Sequence, residues 1–150
     1  MLLKEGDMAP DFTGVDENGK SLSLKDYKGT KLVLYFYPKD MTPGCTVQAK
    51  NLTGNLEQLK DSGYEVIGVS ADSKERHCKF IEKHGIGFPL IADENKEIIR
   101  SYGVWGRKKF MGKEYDGIIR KTFLIDENGV IERVIDKVKT KSHSEQILDS

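Results

Sequence analysis

The sequence predicts an α/β fold: a central mixed β-sheet flanked by helices, with an N-terminal β-hairpin extension. Three observations lead there. Short runs rich in β-branched and aromatic residues alternate with segments of helical period. The first such run, KLVLYFY over Lys31–Tyr37, is continuous, as in a strand buried on both faces of a mostly parallel sheet. The last two strands flank a D-E-N-G turn, which makes them antiparallel and the sheet mixed.

The elements follow in order. Asp11–Ser23 carries Gly14, Gly19 and a first D-E-N-G turn at Asp16–Gly19, the pattern of an opening hairpin. Pro38 ends the Lys31–Tyr37 strand, since its ring removes the N–H that a ladder needs. Beyond it Leu52, Leu56 and Leu59 form a helical stripe, stopped at Gly63. Gly54 inside that stripe marks a kink. Tyr64–Ser70 (YEVIGVS) is a second buried strand. Ser73 or Asp72 caps a helix to His84, with Gly85 as its stop. Phe88–Ala92 is a third strand and Glu97–Tyr102 a short helix. Val104–Tyr115, with no apolar period, reads as a loop. Arg120–Ile125 and Val130–Val138 form the hairpin, and Ser142–Leu148 a terminal helix. The order β-α-β-α-β-α-β-β-α is compatible with a thioredoxin-like fold.

Composition sets the outer limits. At 150 residues the chain is expected to be one domain over 1–150, with about 68–70% of its unfolded surface buried and no need of staples. The 2 Cys cannot make a disulfide framework. Lys+Arg and Asp+Glu both number 24, so no basic nucleic-acid footprint is expected. The longest apolar run falls far short of the roughly 20 residues of a membrane helix, and MLLKEGDMAP is too short in its apolar part for a secretory signal. A cytoplasmic protein without membrane partners is the expectation.

Cys45 lies where a buried strand, Pro38 and the turn Thr42-Pro43-Gly44 run into a helix. Open α/β sheets place ligands outside the carboxyl ends of their strands, where this turn falls. A helix start presents unpaired N–H groups and about half a positive charge, which favours a thiolate over a thiol. The thiolate is the nucleophile, so the placement predicts a reactive sulfur and argues against a small buried hydrophobe. A dithiol oxidoreductase would carry a second cysteine at Thr42. A threonine hydroxyl cannot form a disulfide, but it can hydrogen-bond a thiolate or an incoming oxygen.

These residues carry a family resemblance. P-K-D-M-T-P-G-C-T (Pro38–Thr46) resembles the peroxiredoxin motif P-x-x-x-T-x-x-C, and the strings YFYP, TPGCTVQA, FMGKEYDGI and FLID resemble the peroxiredoxin Q, or bacterioferritin comigratory, subfamily from about Asp7 onward. The resemblance implies that Cys45 is the peroxidatic cysteine, that Thr42 hydrogen-bonds the thiolate and the peroxide, that Pro38 shields the sulfur, and that Arg120 of GIIRKTF is the active-site arginine. A guanidinium is a fixed positive charge. Donors aimed at the charge that builds on the departing oxygen lower the barrier. The implied enzyme is a thiol peroxidase acting on hydrogen peroxide and organic hydroperoxides, a monomer regenerated by thioredoxin or a similar dithiol protein. It needs no metal, haem, flavin or selenium.

The oxidised sulfur must be trapped as a disulfide or risk irreversible over-oxidation. Many members of the subfamily resolve it with a cysteine five residues on, where this chain has Lys50; others use the helix after the second strand. Cys78 lies on that helix, about one turn before the usual position, here Ile81. His77, Phe80, Ile81 and His84 share one helix face; Cys78 flanks it and is expected to be partly accessible. Cys78 is therefore expected to resolve Cys45 within one chain, with unwinding of the first turn at Cys45, since a disulfide needs Cα atoms within about 7 Å. The alternatives are a one-cysteine peroxidase with Cys78 incidental and a thiol-based redox sensor; a glutathione-type peroxidase is disfavoured by the Thr42–Cys45 context. The histidines show no zinc-type spacing and are expected at the surface or at helix ends. Arg107, Lys108 and Lys109 read as a solvated basic loop; Trp105, Phe110 and Met111 either line the approach to Arg120 or pack as core or lid.

Overall fold

The computed structural model describes residues 2–149, apart from the side chain of Phe110. The chain opens with a two-stranded antiparallel hairpin, β1 (Thr13–Val15) and β2 (Ser21–Ser23), followed by a single 3-10 turn at Leu24–Tyr27. Asp16 shapes the hairpin turn, its Oδ1 accepting from the N–H groups of Asn18 and Lys20. The central sheet follows as β3 (Lys31–Phe36), β4 (Tyr64–Ser70), β5 (Leu90–Ala92), β8 (Lys121–Ile125) and β9 (Ile131–Ile135), in the spatial order β5-β4-β3-β8-β9. The β3/β4 and β4/β5 pairs are parallel, and β3/β8 and β8/β9 antiparallel. This is the mixed sheet expected. The second hairpin arm ends at Ile135, short of Val138.

Alternation along β3 builds both cores. Leu32, Leu34 and Phe36 face the side covered by the N-terminal hairpin and α4 (Glu97–Ser101). Val33, Tyr35 and Tyr37 face α1 (Pro43–Gly54), α2 (Leu56–Asp61), α3 (Lys74–His84) and α5 (His143–Leu148). The leucine stripe is split at Asn55 into α1 and α2, at the kink read from Gly54. Gly85 ends α3 in the left-handed region at φ 63°, the conformation that makes glycine a stop signal.

Two expectations are corrected. The segment Val104–Tyr115 is not a loop: β6 (Trp105–Phe110) and β7 (Lys113–Ile118) form a second antiparallel hairpin. His143 and His84 stand at helix ends as expected, but His77 lies inside α3 and is wholly buried, as is His143. Each buried ring finds partners on both nitrogens, which satisfies its polarity inside the core.

Candidate active site

Cys45 is the third residue of α1, directly beyond the carboxyl end of β3, and only 2% exposed. Pro43 occupies the first turn, where its missing N–H costs nothing. Thr46 is the first residue to bond back, to the carbonyl of Thr42 at 2.9 Å, so Gly44 and Cys45 hold the amides a helix start leaves over. Arg120, just before β8, donates from Nη2 to the Cys45 sulfur at 3.2 Å. Gly44 makes room for this contact: a Cβ there would lie 3.4 Å from the same Nη2. The structure thus brings together Cys45 and Arg120, far apart in sequence, as anticipated.

Thr42 caps the helix with its backbone alone. Its hydroxyl donates to the Lys39 carbonyl at 2.8 Å and makes no side-chain cap bond. The hydroxyl's lone pairs remain for a further donor. Met41, just before it, adopts φ 67°, a costly conformation for a side chain other than Gly and one that clusters at functional sites. Pro38 is half-buried at the end of β3.

Several participants have no signal in the sequence. Gln48, one turn after Cys45, accepts from Arg120 Nη1 through Oε1 and meets His143 Nδ1 through Nε2 at 3.1 Å. Thr122 Oγ1 closes the chain at His143 Nε2, 2.9 Å away. Burial, with the Arg120 charge added, pushes His143 down to about 3. Lys108 folds back from β6 to donate to the Ile118 carbonyl at 2.8 Å; burial and then Arg120 hold its ammonium below the ordinary lysine value. Its near neighbourhood to Arg120 takes Lys108 out of the solvated basic loop. Trp105 instead packs partly buried against the core, under Lys96, and Met111 stands 87% exposed at the hairpin tip. The Phe110 side chain lies outside the described residues.

The second cysteine sits apart, on α3. Cys78 is partly exposed, as its helix phase implied, and its thiol donates to the Glu17 carbonyl in the N-terminal hairpin turn at 3.0 Å. Both cysteines are free. What links their segments is Asp40, in the loop ahead of Cys45. Its wholly buried carboxylate accepts from Tyr37 Oη at 2.6 Å and meets His77 Nδ1 at 2.6 Å. Its backbone N–H donates to Asp72 at 2.8 Å, and its carbonyl accepts from Arg76 at 3.1 Å. His77 Nε2 faces the Ile91 carbonyl at 2.9 Å. With acceptors on both sides, both ring nitrogens are placed to donate, which favours the imidazolium. Burial alone would push His77 down, but the Asp40 hydrogen bond and charge outweigh it and hold the ring above its ordinary value. Asp40, Asp72 and His77 also bring ligand atoms within 4.8 Å of one another, a grouping that histidine spacing alone misses. Those atoms are engaged with each other, Tyr37, Ser70 and Arg76, so the group is a hydrogen-bonded clasp.

A buried cysteine sulfur at a helix start, faced by a guanidinium, on a sheet of this order, fits a thiol peroxidase of thioredoxin-like fold. In agreement with that class, the chain belongs to the AhpC/TSA family, whose model matches residues 5–134. Within the family it falls in the peroxiredoxin Q, or Bcp, subfamily. It is 48% identical to peroxiredoxin Bcp of Escherichia coli over 147 residues, 98% of this chain and 94% of that one. PrxQ of Xylella fastidiosa matches its structure with a TM-score of 0.92 at 31% identity, over 99% of this chain and 95% of that chain. The bacterioferritin comigratory protein of Xanthomonas campestris, studied for alkyl peroxide reduction, matches with a TM-score of 0.85 at 34% identity, over 92% and 88%. The chain is therefore a peroxiredoxin, an enzyme that reduces hydroperoxides with a thiol and is restored by thiol reductants. Among the described residues no helix is long and apolar enough to cross a membrane.

Proposed function

We propose that the chain, acting as one unit over residues 1–150, reduces hydrogen peroxide and alkyl hydroperoxides through Cys45 and recycles through an intramolecular disulfide with Cys78. The observation that carries this reading is the Arg120 guanidinium 3.2 Å from the Cys45 sulfur at the start of α1. The Cys45 thiolate attacks the terminal peroxide oxygen and breaks the O–O bond. The departing alkoxide takes a proton and leaves as alcohol, or as water from hydrogen peroxide. Arg120 and the amides of Gly44 and Cys45 stabilise the charge in transit. Thr42 directs its lone pairs to the peroxide O–H, and Pro38 keeps bulk water off the sulfur. The Cys78 sulfur then displaces hydroxide from the Cys45 sulfenic acid, forming the disulfide and releasing water. A dithiol protein of the thioredoxin type reduces it by exchange.

Unwinding of the first turn of α1 brings the sulfurs together. The missing side-chain cap at Thr42 and the left-handed backbone at Met41 both support a turn of low local stability. The Asp40–His77 clasp opposes that motion until the sulfur is oxidised. The protein works as a cytoplasmic monomer. A steady-state assay with hydrogen peroxide, thioredoxin and thioredoxin reductase is expected to show turnover that Cys45→Ser abolishes. Stoichiometric oxidation of Cys45 without turnover would make the protein a redox sensor instead.

A further inference from the structure

His143 is a buried titratable group for which attack on peroxide has no direct use. Its ring stands edge-on to Tyr35 at 5.7 Å and has no exposed surface. Both nitrogens are engaged, Nδ1 with Gln48 Nε2 and Nε2 with Thr122 Oγ1. From Gln48 the chain of contacts continues to Arg120 and ends on the Cys45 sulfur.

One end of this chain fixes the direction of every proton in it. A guanidinium only donates, so Gln48 must turn its carbonyl oxygen to Arg120. The Gln48 NH2 then points at His143, whose Nδ1 must be the lone pair. The ring proton therefore sits on Nε2 and is donated to Thr122. Were Nδ1 protonated, two donors would face each other. The relief available is rotation of the Gln48 amide, which would set its NH2 against the guanidinium.

The backbone around the ring is held by the same two elements. Ser144 N–H donates to Asn51 Oδ1 at 2.8 Å, and Asn51 Nδ2 donates to the Lys141 carbonyl at 3.1 Å, so α1 grips the start of α5. Thr122 lies on β8, two residues after Arg120. The ring thus bridges the helix that carries Cys45 and Gln48 to the strand that follows Arg120. We propose that His143 is a positioning residue of the peroxidase site: as its Nε2–H tautomer it fixes which end of the Gln48 amide faces Arg120, and so aims the guanidinium at the Cys45 sulfur. This rests on the peroxidase reading of Cys45.

The first test needs no substitution. Two-bond proton–nitrogen correlation spectra of the reduced protein with labelled histidine, at neutral pH, are expected to show His143 neutral and protonated on Nε2. A proton on Nδ1, or an imidazolium, overturns the proposal. The second test is the rate constant for Cys45 oxidation by hydrogen peroxide in variants that replace one ring nitrogen at a time. An asparagine amide reaches the place of Nδ1 and a glutamine amide that of Nε2. His143→Leu and His143→Gln are expected to slow the reaction about ten-fold, the worth of one charge-assisted hydrogen bond, and His143→Asn to recover most of it. A folded His143→Leu protein reacting at the wild-type rate, or rescue by Gln and not by Asn, overturns the proposal. Absence of any Cys45-dependent reaction in the unmodified protein is a different result, and would end the peroxidase reading itself.

Discussion

Cys45 lies in the first turn of α1 and Cys78 in the middle of α3, and their sulfurs hydrogen-bond in opposite senses. The Cys45 sulfur accepts from a guanidinium that can only donate. The Cys78 thiol donates to the Glu17 carbonyl, which can only accept. Each region also holds a wholly buried histidine, and these too are opposites. His143, at the end of the Arg120 chain, is held well below its ordinary value; His77, beside Cys78 and against Asp40, is held above it. Burial pushes both rings down, and at His143 it is the main cause, with the Arg120 charge added. At His77 the buried Asp40 carboxylate outweighs it, and that partner makes the difference. The two cysteines differ in the same way: the Cys45 sulfur faces a cation and the Cys78 thiol a carbonyl, a contrast that supports the unequal tasks proposed for them.

The largest effect is expected from removing the cation. Arg120→Met erases the donor at the Cys45 sulfur and is expected to slow peroxide attack about 10²–10³-fold, the cost typical of losing one oxyanion donor. Stopped-flow oxidation of Cys45 measures it. A loss of less than about three-fold would mean that the guanidinium is not what distinguishes the two sulfurs.

Next in size is the pH dependence of stability, which sharpens the comparison between the histidines. His143 refuses in the fold a proton that the unfolded chain takes up at about its ordinary value of 6.5. Stability is therefore lost as pH falls from 6.5 towards 3, at up to about 1.4 kcal/mol per pH unit from this group. His77, raised above its ordinary value, acts in the other direction. Its contribution is complete below 6.5 and is lost as pH rises through its raised value. Urea unfolding at several pH values is expected to show that His143→Asn flattens the acid limb and that His77→Gln flattens the limb above 6.5. Parallel pH curves for the two variants would show that the two rings do not differ in charge.

The smallest effect concerns clearance. Gly44→Ala puts a methyl group 3.4 Å from Arg120 Nη2, tight enough to displace the guanidinium by a few tenths of an ångström. Peroxide attack is expected to slow by about two- to five-fold, with little change in unfolding free energy.

The strands of the central sheet, most helix ends and the Cys45 turn were legible because their signals are local: a continuous apolar run, Pro38, Gly85 and a cysteine at a helix start. Arg120 was reached through family resemblance, and its contact with Cys45 closes over a long loop. Gln48, His143 and the Asp40–His77 clasp were not legible. Their partners lie far apart in sequence, and no periodicity says which buried histidine meets a carboxylate and which a glutamine. The β6–β7 hairpin escaped for another reason. Most of β7 is exposed, so no apolar alternation marks it. Its turn uses Met111 and Gly112, both at positive φ, where Asn-Gly would have been the readable signal.

The unequal tasks of the two sulfurs are tested most directly by intact mass after one equivalent of hydrogen peroxide. The wild-type chain is expected to lose two hydrogens, as a disulfide between Cys45 and Cys78, and Cys78→Ser to gain one oxygen on Cys45 instead. A stable added oxygen on the wild-type chain, or an unchanged product in Cys78→Ser, would contradict the account.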